Sequence, residues 1–207
     1  MLTISEQDDI HRDMKRFDTS RAIELLAALG EQLEAGGRTF ELVVIGGTAL
    51  QVLGLVDRTT RDVDVLAFRN GNELTPAEPF PEALTAAVRR VARDLRVGEE
   101  WLNAGPSDLV RLGLPEGFVG RLETRSFGPR LSVHFAGRYD QIHFKLYAMV
   151  DQRSARHEAD LRALEPSPLE LVAAARWART HDPSEPFDQE LGAVLRYLGA
   201  ADADPGT

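Results

Sequence analysis

Two short segments in the first third of the sequence carry residue types that suit nucleotide chemistry. Gly46-Gly47-Thr48 follows one apolar run, and Asp62 and Asp64 stand two residues apart before another. Moving a nucleotidyl group requires donors or cations that hold a triphosphate, and oxygen ligands that hold Mg²⁺ on it. Two metal ions about 4 Å apart then activate an attacking hydroxyl and stabilise the leaving pyrophosphate. The two segments together offer both parts.

The glycine pair favours close approach of a phosphate. Gly46 and Gly47 have no Cβ, so their backbone can lie against an anion at the start of a helix. Thr48 adds a hydroxyl donor at the same place. The alternative interpretation is structural: the pair makes a tight turn from a strand into a helix.

The two aspartates suit a metal site. Because side chains on a strand alternate, Asp62 and Asp64 are expected on one face. Two acids at the entrance of an apolar strand are costly to desolvate unless a cation compensates. The alternative is a solvated strand end, and the chain holds a second D-x-D at Asp202 and Asp204, in a tail where no function is expected.

Two basic residues have both a functional and a structural interpretation. Arg58 either neutralises phosphate or pairs with Asp57 or Asp62. Lys145 is the only Lys, Arg, Asp or Glu between Asp140 and Asp151, in the apolar run Ile-His-Phe-Lys-Leu-Tyr-Ala-Met-Val. It therefore needs either an anion or an exit to solvent. Asp160 is a phosphate-site residue or the salt-bridge partner of Lys145.

The hydrophobic pattern predicts the elements that position these residues. An amphipathic helix begins at Thr19 or Ser20, with Ser20 as N-cap, and ends at Gly36-Gly37. The predicted order continues with a strand at 40–45, a helix at 48–55, a strand at 63–68, a loop at 69–80 and a helix at 81–96.

The second half is predicted to be mostly helical. Residues 98–120 receive no assignment, because glycine and proline interrupt them. Strands at 121–126 and 130–136 form a hairpin around Phe127-Gly-Pro129. Helices follow at 138–151, 156–164, 168–180 and 185–198, the third with a capping box at Ser167-Pro-Leu-Glu170. The predicted organisation is a lead-in (1–18), a catalytic domain (19–136), a helical part (137–200) and a flexible tail (201–207).

Composition narrows the class of protein. The chain has 207 residues, 43% of them hydrophobic, which supports one sizeable core. It has no cysteine, no apolar run of membrane-spanning length and an acid-rich N-terminus without an apolar signal region, so a cytoplasmic protein is expected. The net charge of −9 predicts weak non-specific binding to polyanions.

The motifs in their order resemble a known superfamily. A strand, Gly46-Gly47-Thr48, a helix, Arg58-x-Thr60-x-Asp62-Val-Asp64 and a second strand are similar to the signature of polymerase-β-like nucleotidyltransferases. The segments Lys145-Leu-Tyr-Ala148 and Asp160-Leu161 resemble the AbiEii-type abortive-infection branch, which includes MenT-type toxins. The matching motifs lie within residues 40–162.

The resemblance implies an α+β fold, with a mixed sheet, flanking helices and a helical C-terminal part. It implies that residues 46–48 contact the triphosphate, that Asp62 and Asp64 bind two Mg²⁺ ions, that Lys145 meets the phosphates and that Asp160 completes the cluster. The implied acceptor is an RNA such as tRNA, or a protein, and the implied partner is an antitoxin.

One feature departs from the superfamily pattern. Polymerase-β-like enzymes usually carry a third carboxylate on a strand beside the D-x-D strand, whereas the candidate strand 131–135 has no acid. Glu123 or Asp160 would have to substitute. Two rival hypotheses follow: a nucleotide- or partner-binding protein that no longer catalyses, and a helical interaction protein whose motifs are coincidental. The second rival requires the aspartates to lie more than about 8 Å from the glycine turn, too far for a metal to bridge phosphate and carboxylate.

Overall fold

The computed structural model describes residues 18–200 and has the predicted α+β class, with six strands, eight α-helices and a helical C-terminal part. The described residues divide into two compact units, one of residues 18–111 and 122–135 and the other of residues 112–121 and 136–200. The predicted lead-in, apart from Asp18, and the predicted tail lie outside the described residues.

The first unit contains the whole sheet. Its elements are α1 (Thr19–Ala35), β1 (Phe40–Ile45), α2 (Gly46–Val52), β2 (Val63–Asn70), β3 (Glu73–Pro76), α3 (Glu82–Leu95), β4 (Leu102–Asn103), β5 (Glu123–Ser126) and β6 (Leu131–Phe135). The strand order is β3-β2-β1-β6-β5, and β4 pairs with β2. β1 is antiparallel to β2 and parallel to β6, so the sheet is mixed.

The core of this unit lies between one face of the sheet and helices α1 and α3. Alternate residues of β1, β2 and β6 point into it, as a period of two requires. Its buried members include Leu25, Leu29, Leu42, Val44, Val65, Leu84, Val88, Val133 and Phe135. The packing holds β1 and β2 in the interior of the sheet. Gly46 follows the end of β1, and Asp62 and Asp64 lie at the start of β2.

The start of α1 differs from the prediction. Its N-cap is Asp18, whose carboxylate accepts a hydrogen bond from the N–H of Arg21 at 2.9 Å, and Ser20 lies inside the helix. An aspartate caps as well as a serine and also favours the helix dipole, so the earlier residue takes the position. Gly36 ends the helix, as predicted.

Residues 69–80 are not simply a loop. β2 extends through Asn70, and Glu73–Pro76 pairs with it as β3. Gly71, first residue of the two-residue connection, has φ +61°, a conformation that glycine adopts without steric cost and that hairpin turns use. The prediction of a loop was wrong because it gave more weight to Pro76 and Pro79 than to Asn70-Gly71, a dipeptide typical of hairpin turns.

The second unit is helical. Its helices are α5 (Arg138–Gln152), α6 (Ala155–Ala163), α7 (Pro168–His181) and α8 (Glu185–Tyr197); the short helix α4 (Leu109–Leu112) lies at the chain boundary between the units. The capping box of Ser167 and Glu170 is present, as predicted. No helix within residues 18–200 is long and apolar enough to cross a membrane.

Candidate functional site

The glycine turn joins β1 directly to α2. β1 ends at Ile45 and α2 begins at Gly46, which has φ +74°. A residue with a Cβ rarely adopts this backbone conformation, so glycine is required at position 46. Gly47 and Thr48 follow within α2 and are buried.

Asp64 lies against the glycine turn. The antiparallel register pairs Ile45 with Asp64, which brings the aspartate beside the end of β1. Its Oδ2 atom lies 2.5 Å from the position that a Cβ on Gly46 would occupy. Glycine is therefore required at position 46 for a second reason besides its backbone angle. The Asp64 carboxylate occupies the space that a side chain would need.

Thr48 ties α2 to the segment that enters β2. Thr48 is fully buried, and its hydroxyl donates a hydrogen bond to the carbonyl oxygen of Asp62 at 2.7 Å. The Thr60 hydroxyl reaches the same carbonyl at 3.5 Å. Direct contact of the Thr48 hydroxyl with a phosphate would require the first bond to break. Asp64 thus lies against the glycine turn and the backbone of Asp62 lies against Thr48, so Asp64 shows none of the separation expected for coincidental motifs.

The Asp62 carboxylate differs from that of Asp64 in its surroundings. Within residues 18–200, no hydrogen bond or ion pair engages the Asp62 carboxylate, although the residue is half-buried. Partial burial of a carboxylate without a protein partner costs free energy that a bound cation would offset. This is the observation that best fits a cation ligand at position 62.

Asn103 is a site residue that the sequence did not indicate. β4 runs parallel to β2 and pairs Asp64 with Asn103. The Asn103 amide donates to Oδ1 of Asp64 at 3.2 Å, and its own oxygen accepts from the N–H of Gly105 at 2.9 Å. A strand of two residues is too short to show a period, so no pattern in the sequence could reveal it.

The strands considered as sources of a third carboxylate do not lie beside β2, the strand that carries Asp64. β6, the candidate for a third carboxylate, is not beside β2, because β1 lies between them. Glu123 on β5 is one strand further away. Within residues 18–200, no group of three or more His, Cys, Asp or Glu side chains is arranged to hold a metal. Around Asp64, the adjacent strand supplies the neutral Asn103 instead of an acid.

Arg58 lies on the connection between α2 and β2. Its guanidinium donates to the carbonyl of Thr59 at 3.0 Å, and its own carbonyl accepts from the buried amide of Gln51. Gln51 thus fixes the backbone of this connection. The predicted contact of Arg58 with phosphate stays a prediction.

Lys145 and Asp160 belong to the second unit and bind each other. The Lys145 Nζ atom lies 2.8 Å from Oδ2 of Asp160, and the two side chains are only 7% and 1% exposed. Lys145 therefore does not extend to solvent: of the structural alternatives, the ion pair is the one observed. Their predicted part in the chemistry of Asp62 and Asp64 stays a prediction.

A second polar cluster, which no sequence pattern indicated, crosses four strands. His134 of β6 is buried, with Nε2 at 3.1 Å from Glu41 of β1 and Nδ1 at 3.1 Å from Arg69 of β2 and 2.7 Å from Thr124 of β5. Arginine only donates, so Nδ1 accepts and Nε2–H donates to Glu41. Burial, reinforced by the charge of Arg69, lowers the pKa of His134, so the imidazole is neutral. We name these residues the four-strand cluster.

The described residues thus form a mixed sheet in which a strand–Gly-Gly–helix turn adjoins a D-x-D strand. The family described as nucleotidyltransferase of unknown function (DUF6036) matches residues 22–160. The chain belongs to this family. No curated protein and no solved structure matches the chain significantly.

Proposed function

We propose that the protein is a Mg²⁺-dependent nucleotidyltransferase that moves a nucleoside monophosphate from a nucleoside triphosphate onto an acceptor hydroxyl of an RNA, such as tRNA, or of a protein. The single observation that carries the proposal is the contact between the glycine turn and the D-x-D strand, with Asp64 against Gly46. Family membership supports the reaction class.

The donor set fits magnesium. Mg²⁺ prefers oxygen ligands and is usually held by one or two carboxylates together with substrate phosphates. Asp62 and Asp64 would be those carboxylates, the former without a partner in the described residues and the latter held in place by Asn103. When bound, the cation neutralises charge on the triphosphate and lowers the pKa of a bound hydroxyl.

The protein's own contribution is orientation. The acceptor oxygen forms a bond to the α-phosphorus, the bond from that phosphorus to the bridging oxygen breaks, pyrophosphate leaves, and the hydroxyl proton passes to water. Such a reaction depends mainly on positioning and electrostatic stabilisation. Gly46 admits the Asp64 carboxylate beside the turn, and Thr48 fixes the backbone at Asp62.

The experiment is incubation of the purified protein with Mg²⁺, each α-labelled nucleoside triphosphate, and total tRNA or a protein extract. Asp62→Asn/Asp64→Asn is expected to lower label transfer at least about 100-fold, because the reacting groups are no longer held. The matched control is Asp202→Asn/Asp204→Asn, which changes the same charge in the second D-x-D of the sequence. Equal loss in both variants, or transfer that survives the first, would contradict the proposal.

One observation favours a second candidate, a nucleotide-binding protein that does not catalyse. The strand beside Asp64 supplies Asn103 where an acid was expected. This candidate predicts Mg²⁺-dependent binding of a triphosphate, lost in Asp62→Asn/Asp64→Asn, without label transfer to any acceptor class. Equilibrium binding and label transfer measured on the same preparation separate the two candidates.

A narrower proposal concerns a toxin that is paired with an antitoxin protein. Its support is the likeness of Lys145-Leu-Tyr-Ala148 and Asp160-Leu161 to the AbiEii and MenT branch. We expect induced expression in bacteria to arrest growth and Asp64→Asn to relieve the arrest. Unaffected growth, with active wild-type protein shown in the lysate, would refute the toxin role while leaving the transferase proposal intact.

A further inference from the structure

Asn103 occupies the position next to Asp64 that the parallel pairing of β4 and β2 creates. Its Nδ2 atom lies 3.2 Å from Oδ1 of Asp64. The other oxygen of Asp64 faces Gly46. The carboxylate is therefore confined on two sides, by Asn103 of β4 and by Gly46 at the start of α2.

The orientation of the Asn103 amide follows from a third residue. The backbone N–H of Gly105 lies 2.9 Å from the Asn103 oxygen, and an N–H group only donates. The oxygen end must face Gly105, so the NH₂ end faces Asp64. The amide therefore acts as a donor toward the carboxylate.

The charge of this neighbour decides how the site behaves without a cation. An amide donor attracts an ionised carboxylate at 3.2 Å. A second carboxylate at the same place would repel it, because like charges about 3 Å apart do not both ionise without compensation. With Asn103, Asp64 holds its position when no cation is present.

We propose that Asn103 is a positioning residue that holds Asp64 ready in the absence of metal and limits the charge of the site, so that Mg²⁺ enters as its complex with the nucleoside triphosphate and binds the protein alone only weakly. The inference rests on the proposed function. It agrees with the preference of Mg²⁺ for sites completed by substrate phosphates.

The test is the binding of Mn²⁺, a paramagnetic substitute, measured by electron paramagnetic resonance without nucleotide and with ATP. The variant Asn103→Asp keeps the acceptor for Gly105 and adds a carboxylate facing Asp64. We expect it to bind Mn²⁺ alone at least about tenfold more tightly than wild type. The matched control is Asn72→Asp, with the same charge change on the exposed turn between β2 and β3.

Thermal unfolding gives a second reading. Asn103→Asp is expected to lower Tm in metal-free buffer, because two carboxylates then face each other, and to recover when Mn²⁺ is added. Asn103→Ala, which only removes the donor, is expected to weaken Mn²⁺–ATP binding roughly tenfold without tightening the binding of Mn²⁺ alone.

Two results would overturn the inference: Asn103→Asp and Asn72→Asp with equal Mn²⁺ affinity, or wild type binding Mn²⁺ as tightly alone as with ATP. The failure of the proposed function is distinguishable, because Mn²⁺ binding requires no turnover. Label transfer by wild type together with equal affinity in the two variants would refute only the inference. Tighter binding in Asn103→Asp with no label transfer would refute only the transferase.

Discussion

The Oδ2 atom of Asp64 lies 2.5 Å from the position of a Cβ on Gly46, a residue with φ +74°. Two parts of the sequence that are 18 positions apart thus meet in a contact that leaves no room for a methyl group. The glycine turn and the aspartate strand form one unit of structure, and the two residues constrain each other.

The first prediction separates this contact from backbone strain. Gly54 also has a positive φ, +69°, but nothing lies within 4 Å of its Cβ position. Gly54→Ala should cost only the strain of the left-handed conformation, about 1 kcal/mol of unfolding free energy. Gly46→Ala should cost more and should lower label transfer about 100-fold, because Asp64 must move. Urea unfolding and label transfer measure the two effects, and equal behaviour of the variants would show that the contact is unimportant.

The second prediction concerns the tie from Thr48 to Asp62. Thr48→Val keeps the shape and removes the hydroxyl, so the variant should lose about 1 kcal/mol of stability. Thr48→Ser keeps the donor and should bind nucleotide as wild type does, while the loss of one buried methyl group lowers its stability slightly. Weak nucleotide binding in Thr48→Val with an unchanged Tm would instead assign the hydroxyl to the ligand.

The third prediction compares two ion pairs of the second unit. Asp160→Asn leaves the buried Lys145 without its carboxylate and should destabilise by about 3–5 kcal/mol. Glu190→Gln makes the same change in the exposed pair with Arg153 and should cost less than about 1 kcal/mol. Denaturant unfolding measures both. Similar small losses would mean that Lys145 reaches water readily.

The fourth prediction is a dependence on pH. The Arg138 guanidinium, with help from Ser167, holds the pKa of Glu170 at about 2, below its ordinary value of 4.5. The stability from this carboxylate is therefore complete above about pH 4.5 and is lost as the pH falls toward 2. Glu170→Gln, which can still complete the capping box, removes this dependence.

Between pH 5 and pH 3 wild type should lose roughly 1–2 kcal/mol more than Glu170→Gln, a value reduced because the pair is partly exposed. Urea unfolding at the two pH values measures the difference. Parallel losses in the two proteins would show that the acid sensitivity comes from other carboxylates.

The parts of the fold that the sequence predicted are those built from local signals. The apolar strand 40–45, the glycine turn and the strand beginning at Val63 follow each other closely, so their antiparallel contact requires only a short connection. The last two helices, α7 and α8, each carry a serine N-cap and a proline in the first turn that mark where the helix begins.

The parts that it did not predict depend on distant partners. Asn103 reaches the site through a strand of two residues. His134 reaches Glu41 across 93 positions of sequence. The direct neighbours of β2 follow from the strand order, which no local pattern contains.

The four-strand cluster has a consequence for how the sheet assembles. The neutral imidazole of His134 lies on β6 and has hydrogen-bond partners on β5, β1 and β2, so it connects four strands. A slip of β6 by one residue would turn His134 into the apolar face and leave Glu41 and Arg69 without it. A misaligned β6 would lose these hydrogen bonds, so the cluster stabilises the one register in which β5, β6, β1 and β2 are all aligned.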